Sequence, residues 1–347
     1  MGFIALIVAL VIEQLRPLPR GNLVHQAAVS IADAIAGATN AGRDRHGMVG
    51  WALAVGAAVL AVVVAQWLLG LISPVLVFAL HVAVLYFTVG FRQFSHAFTE
   101  IQLALAAGDS HGARQALQQW IRQQDPEFVV GDLPISEVCR LAISHALIAA
   151  HRHVFGPLFW YMLLPGAVGP VLYRAAQFLA ERWQAPLLPG MPAGSGASPQ
   201  PAVSAGEPYG QFARKAYGWL DWLPVRLAAA GFAIVGNFED AVYCWRGAAA
   251  APGGDAQRRI LLMSGGGALG LRIADPRLEA QVRGTPDTVA LQADGAAPAA
   301  PVPGSFDWQG AEPDTASLRS AVGLVWRSVV LWILLFAMLT IANWLGR

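Results

Sequence analysis

The sequence predicts an all-α, multi-pass membrane protein with five or six membrane helices, one of them broken or re-entrant, and a cytoplasmic helical insert. Two observations support this fold class. Hydrophobic residues make up 56% of the chain and charged residues only 13%, whereas soluble domains contain about 25% charged residues. Residues 325–345 form a predominantly apolar run whose one charged residue is Arg327, and a spanning helix needs about 20 predominantly apolar residues. The net charge of +1 gives no basis for nucleic-acid binding.

The first 91 residues contain the N-terminal membrane helices. Residues 3–12 are apolar and, extended through Leu15, predict a short first helix with no signal-peptide cleavage pattern. Residues 51–72 and 74–91 predict a helical hairpin whose turn, at residues 73–74, carries no charge. Basic residues flank this hairpin on both sides, namely Arg43, Arg45 and Arg92. The positive-inside bias therefore places both flanks in the cytoplasm and the turn outside.

Residues 92–144 predict the cytoplasmic helical insert. In its first helix, apolar residues recur every three or four positions, at 91, 94, 98, 101 and 105. Gly108 ends this helix, and Asp109 or Ser110 is placed to cap a second one. A third helix begins near Pro134, because proline is favoured in the first turn.

Residues 145–183 form a broken membrane block. Glycine and proline interrupt its apolar centre, at Gly156, Pro157, Pro165, Gly166, Gly169 and Pro170. A helix with these interruptions must kink, break or re-enter the membrane. A single crossing would leave several basic residues outside, against the positive-inside bias: Arg174, Arg182, Arg214 and Lys215. A re-entrant block would remove this conflict.

The remainder of the chain alternates between helices and linkers. Residues 184–208 and 284–313 are rich in Pro, Ala and Gly, which predicts linkers. Residues 209–245 predict a membrane helix that begins with polar residues, 246–283 a helical and loop segment, and 325–347 the C-terminal membrane helix. Glycines at 265, 267 and 270 fit G-x-G-x-x-G, but no βαβ unit surrounds them. We therefore predict no nucleotide cofactor.

Cysteines and histidines give no metal-binding pattern. Cys139 and Cys244 lack ligand spacing and are expected to be small buried apolar residues. His145, His151 and His153 do not share one helical face, so no metal site is predicted. His81, inside the hairpin, allows two interpretations: a hydrogen bond between helices, or a proton path.

Three stretches, in this order along the chain, carry a resemblance to a known family. They are FRQFSHAFTEIQLALAAGDSHGARQAL, GPLFWYMLLPGAVGPVLYRAAQFL and LDWLPVRLAAAGFAIVG. These stretches resemble the superfamily of cobalamin-biosynthesis membrane proteins called CobD or CbiB. They are even more similar to its relative AmpE, an inner-membrane protein associated with β-lactamase regulation. The short apolar start ending in Glu13 and the segment GALGLRI at residues 267–273 also match.

The resemblance implies different functions in its two branches. The cobalamin branch joins an aminopropanol-type group to adenosylcobyric acid as an amide, and carries E-x-x-x-E-N-x-S-D-G before PLFW. Residues 144–153 of this chain match that stretch, but they lack its acidic residues. Here Ile148 and Ala149 replace the second Glu and the Asn, and Arg152 and His153 replace the Asp and Gly. After Tyr173 and Arg174 the branch has N-T-L-D, where this chain has QFLA.

The paired carboxylates that would coordinate Mg²⁺ or phosphate are thus missing. We therefore expect an inner-membrane regulatory or sensory protein of the AmpE type, without ligase activity, whose ligand is a cell-wall fragment. The alternative is an adenosylcobinamide-phosphate synthase that binds a corrinoid, with carboxylates such as Glu100 and Asp125 in place of the missing ones. A small transporter is a third alternative, based on His81 and the broken helices.

Several ionisable residues remain as candidates for ligand binding, and no catalytic residue is assigned. The candidates are Glu100, Asp125, Arg174, Asp221, Arg226 and Arg272. Either Arg174 or Arg226 can clamp a carboxylate or phosphate, or extend to lipid headgroups. We expect Arg174, Asp221 and Arg226 to form a polar pocket.

Other motif residues are expected to be structural: Asp109, Pro157, Phe159, Trp160, Tyr173, Pro224, Gly267 and Gly270. The expected location is the bacterial inner membrane, with the lipid bilayer as partner. Formation of a homo-oligomer is left open.

Overall fold

The computed structural model describes residues 2–15, 23–39, 44–123, 128–183, 208–250, 255–273, 308 and 310–346. Within these ranges the regular elements are helices, accompanied by one isolated β-bridge between Leu271 and Ala311, which confirms the all-α prediction. The helices are α1 (Gly2–Leu15), α2 (Leu23–Thr39), α3 (Asp44–Ile72), α4 (Pro74–Thr88), α5 (Phe91–Ala106), α6 (Ser110–Ile121), α7 (Ile135–Ala150), a π-helical turn (His151–Phe155), α8 (Gly156–Leu163), α9 (Val168–Arg182), α10 (Pro208–Val235), α11 (Phe238–Ala250), α12 (Ala256–Leu269) and α13 (Thr315–Leu345).

Three helices in the described part of the chain are long and apolar enough to cross a bilayer. They are His46–Ile72, Tyr209–Val235 and Thr315–Leu345. Helices α1 and α4 are apolar but shorter. The 15 residues of α4 rise about 22 Å, against a hydrocarbon core of about 30 Å. The chain is therefore a multi-pass membrane protein, and its described part contains three helices of spanning length and two shorter apolar helices.

The chain folds as two compact units. Unit 1 comprises Met1–Gly90 and Gly156–Leu223, and unit 2 comprises Phe91–Phe155 and Pro224–Arg347. The first expected linker, apart from its last residue, and most of the second lie outside the described residues. Helix α2 was not predicted, although its apolar residues recur at helical spacing, at positions 24, 27, 28, 31, 32 and 35.

In unit 1, the broken membrane block is a helical hairpin. Helices α8 and α9 meet at a turn where Gly166 has a φ of +70°, a left-handed conformation that favours glycine. Beside this turn, the Ala167 amide donates to Gln66 Oε1 at 3.4 Å. At the other end of α9, Leu179 and Trp183 pack in one buried cluster with Val55. Because Gln66 and Val55 lie along the same helix, α3, the block turns back instead of crossing once.

This hairpin places Arg182 and the start of α10 near the start of α3. Tyr209, at the start of α10, belongs to the same buried cluster as Trp183, and its hydroxyl lies 2.6 Å from Thr39 Oγ1. Arg182 donates two hydrogen bonds to Asp33, at 3.0 and 2.7 Å. Arg214 and Lys215 are exposed close by on α10. The conflict with the positive-inside bias is thereby removed for Arg182, Arg214 and Lys215, since these three cations share the side assigned to the cytoplasm.

This topology predicts opposite labelling of two engineered cysteines. In intact cells, Ser73→Cys is expected to react with a membrane-impermeant maleimide, because Ser73 lies at the hairpin turn that the positive-inside bias places outside. Lys215→Cys is expected to react only after the membrane is permeabilised. The parent protein supplies the background control, since Cys139 and Cys244 are both buried. Labelling of Lys215→Cys in intact cells would contradict the topology.

In unit 2, the three helices expected for the insert are present as α5, α6 and α7. Much of their apolar stripes is buried, as expected, including Phe98, Ile101, Leu105, Leu117 and Trp120. Gly108 ends α5 with a φ of +76°. Asp109 caps α6 by accepting a hydrogen bond from the Gly112 amide at 2.8 Å.

The glycine-rich motif lies inside α12, where it permits close packing of helices. A Cβ at Gly267 would overlap the Asp240 carbonyl of α11, and one at Gly265 would lie 2.7 Å from Leu147 Cδ1 of α7. Gly270 ends α12 with a φ of +70°. The motif is therefore not the strand-to-helix turn on which a dinucleotide-binding site is built.

Cys139, on α7, is fully buried in the core of unit 2. Burial, and secondarily the negative charge of Asp314, raises the pKa of the Cys139 thiol to about 11. The thiol is therefore protonated at neutral pH, and Cys139 is the small buried residue that the sequence predicted.

Candidate functional site

A buried polar cluster in unit 1 links α9 to α10. The Tyr173 hydroxyl donates to Asp221 Oδ1 at 2.8 Å and lies 3.0 Å from the Tyr217 hydroxyl. Tyr173 is fully buried and Asp221 is 6% exposed, whereas Tyr217 is half-buried. A buried carboxylate is costly unless donors compensate it, and Tyr173 supplies one. The cluster combines an acceptor of protons with two hydroxyl groups that can transfer them.

Local sequence explains how the cluster is assembled. Tyr217 and Asp221 are four residues apart on α10 and therefore lie on one face of the helix. A Cβ at Gly156 would overlap the ring of Tyr173, so glycine at this position leaves room for the tyrosine. The i, i+4 spacing of Tyr217 and Asp221 was visible in the sequence. Their partner Tyr173 lies on another helix and could not be identified from spacing.

Trp160 and Pro224 were both predicted as structural motif residues. Together they determine how the Leu220 carbonyl is hydrogen-bonded. Pro224 lies inside α10 and has no amide hydrogen, so the Leu220 carbonyl has no helical donor four residues later. The Trp160 indole donates to that carbonyl at 3.3 Å. Phe159 is buried beside Trp160, with their rings 5.4 Å apart. Pro157 occupies the first turn of α8, where proline is favoured.

Replacing Trp160 by phenylalanine is expected to destabilise the protein by about 1–3 kcal/mol, because the Leu220 carbonyl loses its donor. The measurement is thermal unfolding of the purified protein in detergent. Trp219→Phe is the control, since Trp219 is 71% exposed on the same unit. Equal melting temperatures for the two variants would contradict the role given to the indole.

A second polar row in unit 1 follows α9. Arg174 Nη1 donates to Gln177 Oε1 at 2.6 Å, and Gln177 Nε2 donates to Glu181 Oε1 at 3.1 Å. Gln177 is buried and Arg174 is half-buried. Arg174 and Asp221 thus belong to unit 1, whereas Arg226, the third member of the expected pocket, belongs to unit 2.

In unit 2, sequence reasoning missed an ion pair on α7 whose arginine is buried and whose glutamate is 16% exposed. Arg140 is 2% exposed, and its Nε and Nη2 atoms lie 2.8 and 2.6 Å from Glu137 Oε2. Its Nη1 atom donates to the Ile273 carbonyl at 3.2 Å. The i, i+3 spacing of the two charges was visible in the sequence. Nothing in that spacing shows that the pair is buried, because burial depends on distant segments.

The other described residues of unit 2 that were predicted to bind a ligand each contact a polar side chain. Glu100 is exposed and lies 3.3 Å from His96 on the same helix. Arg226 donates to Gln257 Oε1 at 3.2 Å, and Arg272 donates to Glu312 Oε1 at 3.0 Å. The structure therefore places these three residues in separate polar contacts. Asp125 lies outside the described residues.

The stretch that corresponds to the acidic signature forms the end of α7 and the π-helical turn His151–Phe155. Ile148 and Ala149 are buried, at 5% and 4% exposure, so these two positions contribute packing. A π-helical turn is rare and often occurs at functional sites. Among the described residues, no group of three or more His, Cys, Asp or Glu side chains is arranged to hold a metal ion.

Comparisons with known proteins agree on one family. A family model described as CobD/Cbib protein matches residues 3–181. A cobalamin biosynthesis protein CobD of Stutzerimonas stutzeri (strain A1501) is 26% identical over 349 residues, covering 99% of this chain and 98% of that protein. A protein of the same name from Chromobacterium violaceum is 31% identical over 182 residues, covering 52% of this chain and 51% of that protein. No solved structure matches the chain.

These relatives correct the expected function. The regulatory or sensory role of the AmpE type is wrong, because both relatives are named for cobalamin biosynthesis. Placement on the AmpE side of the superfamily is likewise unsupported by the matching family model. The expectation arose from the missing acidic signature, and loss of one motif does not identify another function. The expected location is confirmed: the chain is a multi-pass protein of the bacterial inner membrane.

Proposed function

Because this chain belongs to the CobD/CbiB family, we propose that it is an adenosylcobinamide-phosphate synthase of cobalamin biosynthesis. In this reaction, an amine of the aminopropanol type forms an amide with the carboxyl group of adenosylcobyric acid. The observation that carries the proposal is the end-to-end match to a cobalamin biosynthesis protein CobD. A match over nearly the whole of both chains supports a shared activity better than a short motif does.

The proposal requires chemistry without the acidic signature of the family. Asp221, a buried carboxylate bonded to Tyr173, is the strongest candidate in unit 1. Glu100, which the sequence suggested as a replacement, is exposed and paired with His96. Exposure favours solvation over catalysis, so Asp221 is the better choice for an acid–base group. The partners of this activity are a corrinoid, an aminopropanol-type amine and the surrounding lipid bilayer.

Genetic complementation tests the proposed function. The gene is expressed in a strain that lacks cobinamide-phosphate synthase, and growth is measured on cobyric acid as the corrinoid source. Growth is expected, with an immunoblot of the membrane fraction to show expression. An Asp221→Asn variant and the empty vector are the matched controls, and both are expected to grow poorly.

Binding of the corrinoid gives an independent measurement. Titrating the purified protein with cobyric acid is expected to shift the visible spectrum of the corrinoid. No growth from a well-expressed protein, together with no spectral shift, would contradict the synthase activity.

A further inference from the structure

The hydrogen bonds of the Tyr173 cluster have a defined direction. Tyr173 has one hydroxyl hydrogen, and it donates that hydrogen to Asp221 Oδ1. The 3.0 Å contact between the two tyrosine hydroxyls must therefore be a donation from Tyr217 to the Tyr173 oxygen. The result is an ordered chain from the half-buried Tyr217, through the fully buried Tyr173, to a carboxylate that is 6% exposed.

We propose that Tyr217, Tyr173 and Asp221 form a proton relay that deprotonates the amine substrate. The inference rests on the proposed function, in which a primary amine must attack a carboxyl carbon. Primary aliphatic amines are protonated at neutral pH, as the ordinary pKa of about 10.4 for lysine illustrates. An ammonium group has no lone pair, so a base must remove one proton before a C–N bond can form.

In the relay, one proton is transferred in total from the ammonium group to Asp221, through the two tyrosine hydroxyl groups. The ammonium donates its proton to the Tyr217 oxygen, Tyr217 passes its own hydrogen to Tyr173, and Tyr173 passes its hydrogen to Asp221 Oδ1. The products are a neutral amine and a protonated carboxyl group, and both tyrosines end neutral. The substrate carboxyl group is first phosphorylated by a nucleoside triphosphate, which leaves as the diphosphate. The amine lone pair then attacks the carbonyl carbon of this acyl phosphate: the C–N bond forms, the C–O bond to phosphate breaks, and phosphate leaves with the second amine proton.

Neighbouring residues fix the positions of the two tyrosine side chains in the relay. Gly156 leaves the space that the ring of Tyr173 occupies, and any side chain there would displace its hydroxyl. The rings of Tyr173 and Tyr217 lie 5.6 Å apart, so their packing keeps the two hydroxyl groups together. Only Tyr217 is partly exposed, which makes it the member of the cluster that an amine reaches first.

If the cluster had only a structural role, the expected effect of substitutions would differ from that of a proton relay. This difference can be tested. If the cluster only braced α9 against α10, the essential bond would be the buried one between Tyr173 and Asp221. Tyr217→Phe would leave that bond and the ring packing intact. If the cluster is a relay, the same substitution removes the hydroxyl that receives the proton.

The test measures amide formation by the full-length protein in detergent, supplied with adenosylcobyric acid, aminopropanol and ATP. Tyr217→Phe is expected to lower the rate by about 10²- to 10⁴-fold, the usual contribution of general acid–base catalysis, with at most a small fall in melting temperature and an unchanged corrinoid spectrum. Tyr86→Phe, on α4 of the same unit, is the matched control and is expected to keep the wild-type rate. With hydroxylamine, an amine that is neutral at pH 7.5, the Tyr217→Phe rate is expected to approach that of the wild type.

A wild-type rate for Tyr217→Phe with aminopropanol would overturn the relay and leave the cluster as a brace. Equal losses with aminopropanol and hydroxylamine would also overturn it, since a relay is needed only for a protonated amine. A wild-type protein that forms no amide and causes no corrinoid shift would instead refute the proposed function. The two failures are therefore distinguishable.

Discussion

Replacing Glu137 by alanine is expected to cost about 3–5 kcal/mol of folding free energy, because it leaves a buried guanidinium without its carboxylate. Arg140 is 2% exposed, and both Nε and Nη2 lie within 2.8 Å of Glu137 Oε2. The only other hydrogen bond described for this guanidinium goes to the Ile273 carbonyl, which carries no net charge. Thermal unfolding of the detergent-purified protein measures the loss.

Two comparisons separate the buried pair from a general effect of removing a charge. Glu100→Ala removes an exposed carboxylate paired with His96 and is expected to cost less than about 1 kcal/mol. The double variant Glu137→Ala with Arg140→Met removes both charges. It is expected to recover most of the stability, apart from about 1 kcal/mol for the bond to Ile273. A double variant no more stable than Glu137→Ala would contradict this account.

The membrane helices could be predicted from sequence because apolar runs and spanning length are properties of single segments. The break within residues 145–183 was equally local, since Pro165 and Gly166 lie at the turn between α8 and α9, whereas Gly156, Pro157, Gly169 and Pro170 were accommodated within helices. What the sequence left open was the direction of α9 after that break. The direction depends on contacts with Gln66 and Val55, about a hundred residues earlier, and no local pattern contains them.

The candidate site, too, was predicted only in part from the sequence. Asp221 was selected from the sequence as an ionisable residue just before the apolar stretch of a predicted membrane helix, and its spacing from Tyr217 fixes a common helical face. Tyr173 was assigned only a structural role, because its contact with Asp221 joins two helices. Arg140 and Glu137 were overlooked although they lie on one helix, because their i, i+3 spacing is also typical of exposed ion pairs. Residue identity indicated chemistry only where the local sequence also indicated burial.

Replacing Gly169 by alanine is expected to disrupt the α8–α9 hairpin. A Cβ at this position would overlap the carbonyl of Trp160, and it would lie 3.0 Å from the Tyr161 amide nitrogen. Both neighbours are backbone atoms, which cannot move aside by changing a rotamer. The two helices must therefore separate, at a cost of about 1–3 kcal/mol or more. The loss is measured as a lower melting temperature of the purified protein.

Gly56→Ala is the matched control, because a Cβ at Gly56 of α3 meets nothing within 4 Å. It is expected to preserve or slightly raise stability, since alanine favours the helix by about 1 kcal/mol. The hairpin also positions Tyr173, so Gly169→Ala is expected to impair growth on cobyric acid while Gly56→Ala is not. If the melting temperature of Gly169→Ala equals that of the wild type, α8 and α9 do not pack this closely. The position of Tyr173 beside Asp221, which depends on that packing, would then also be contradicted.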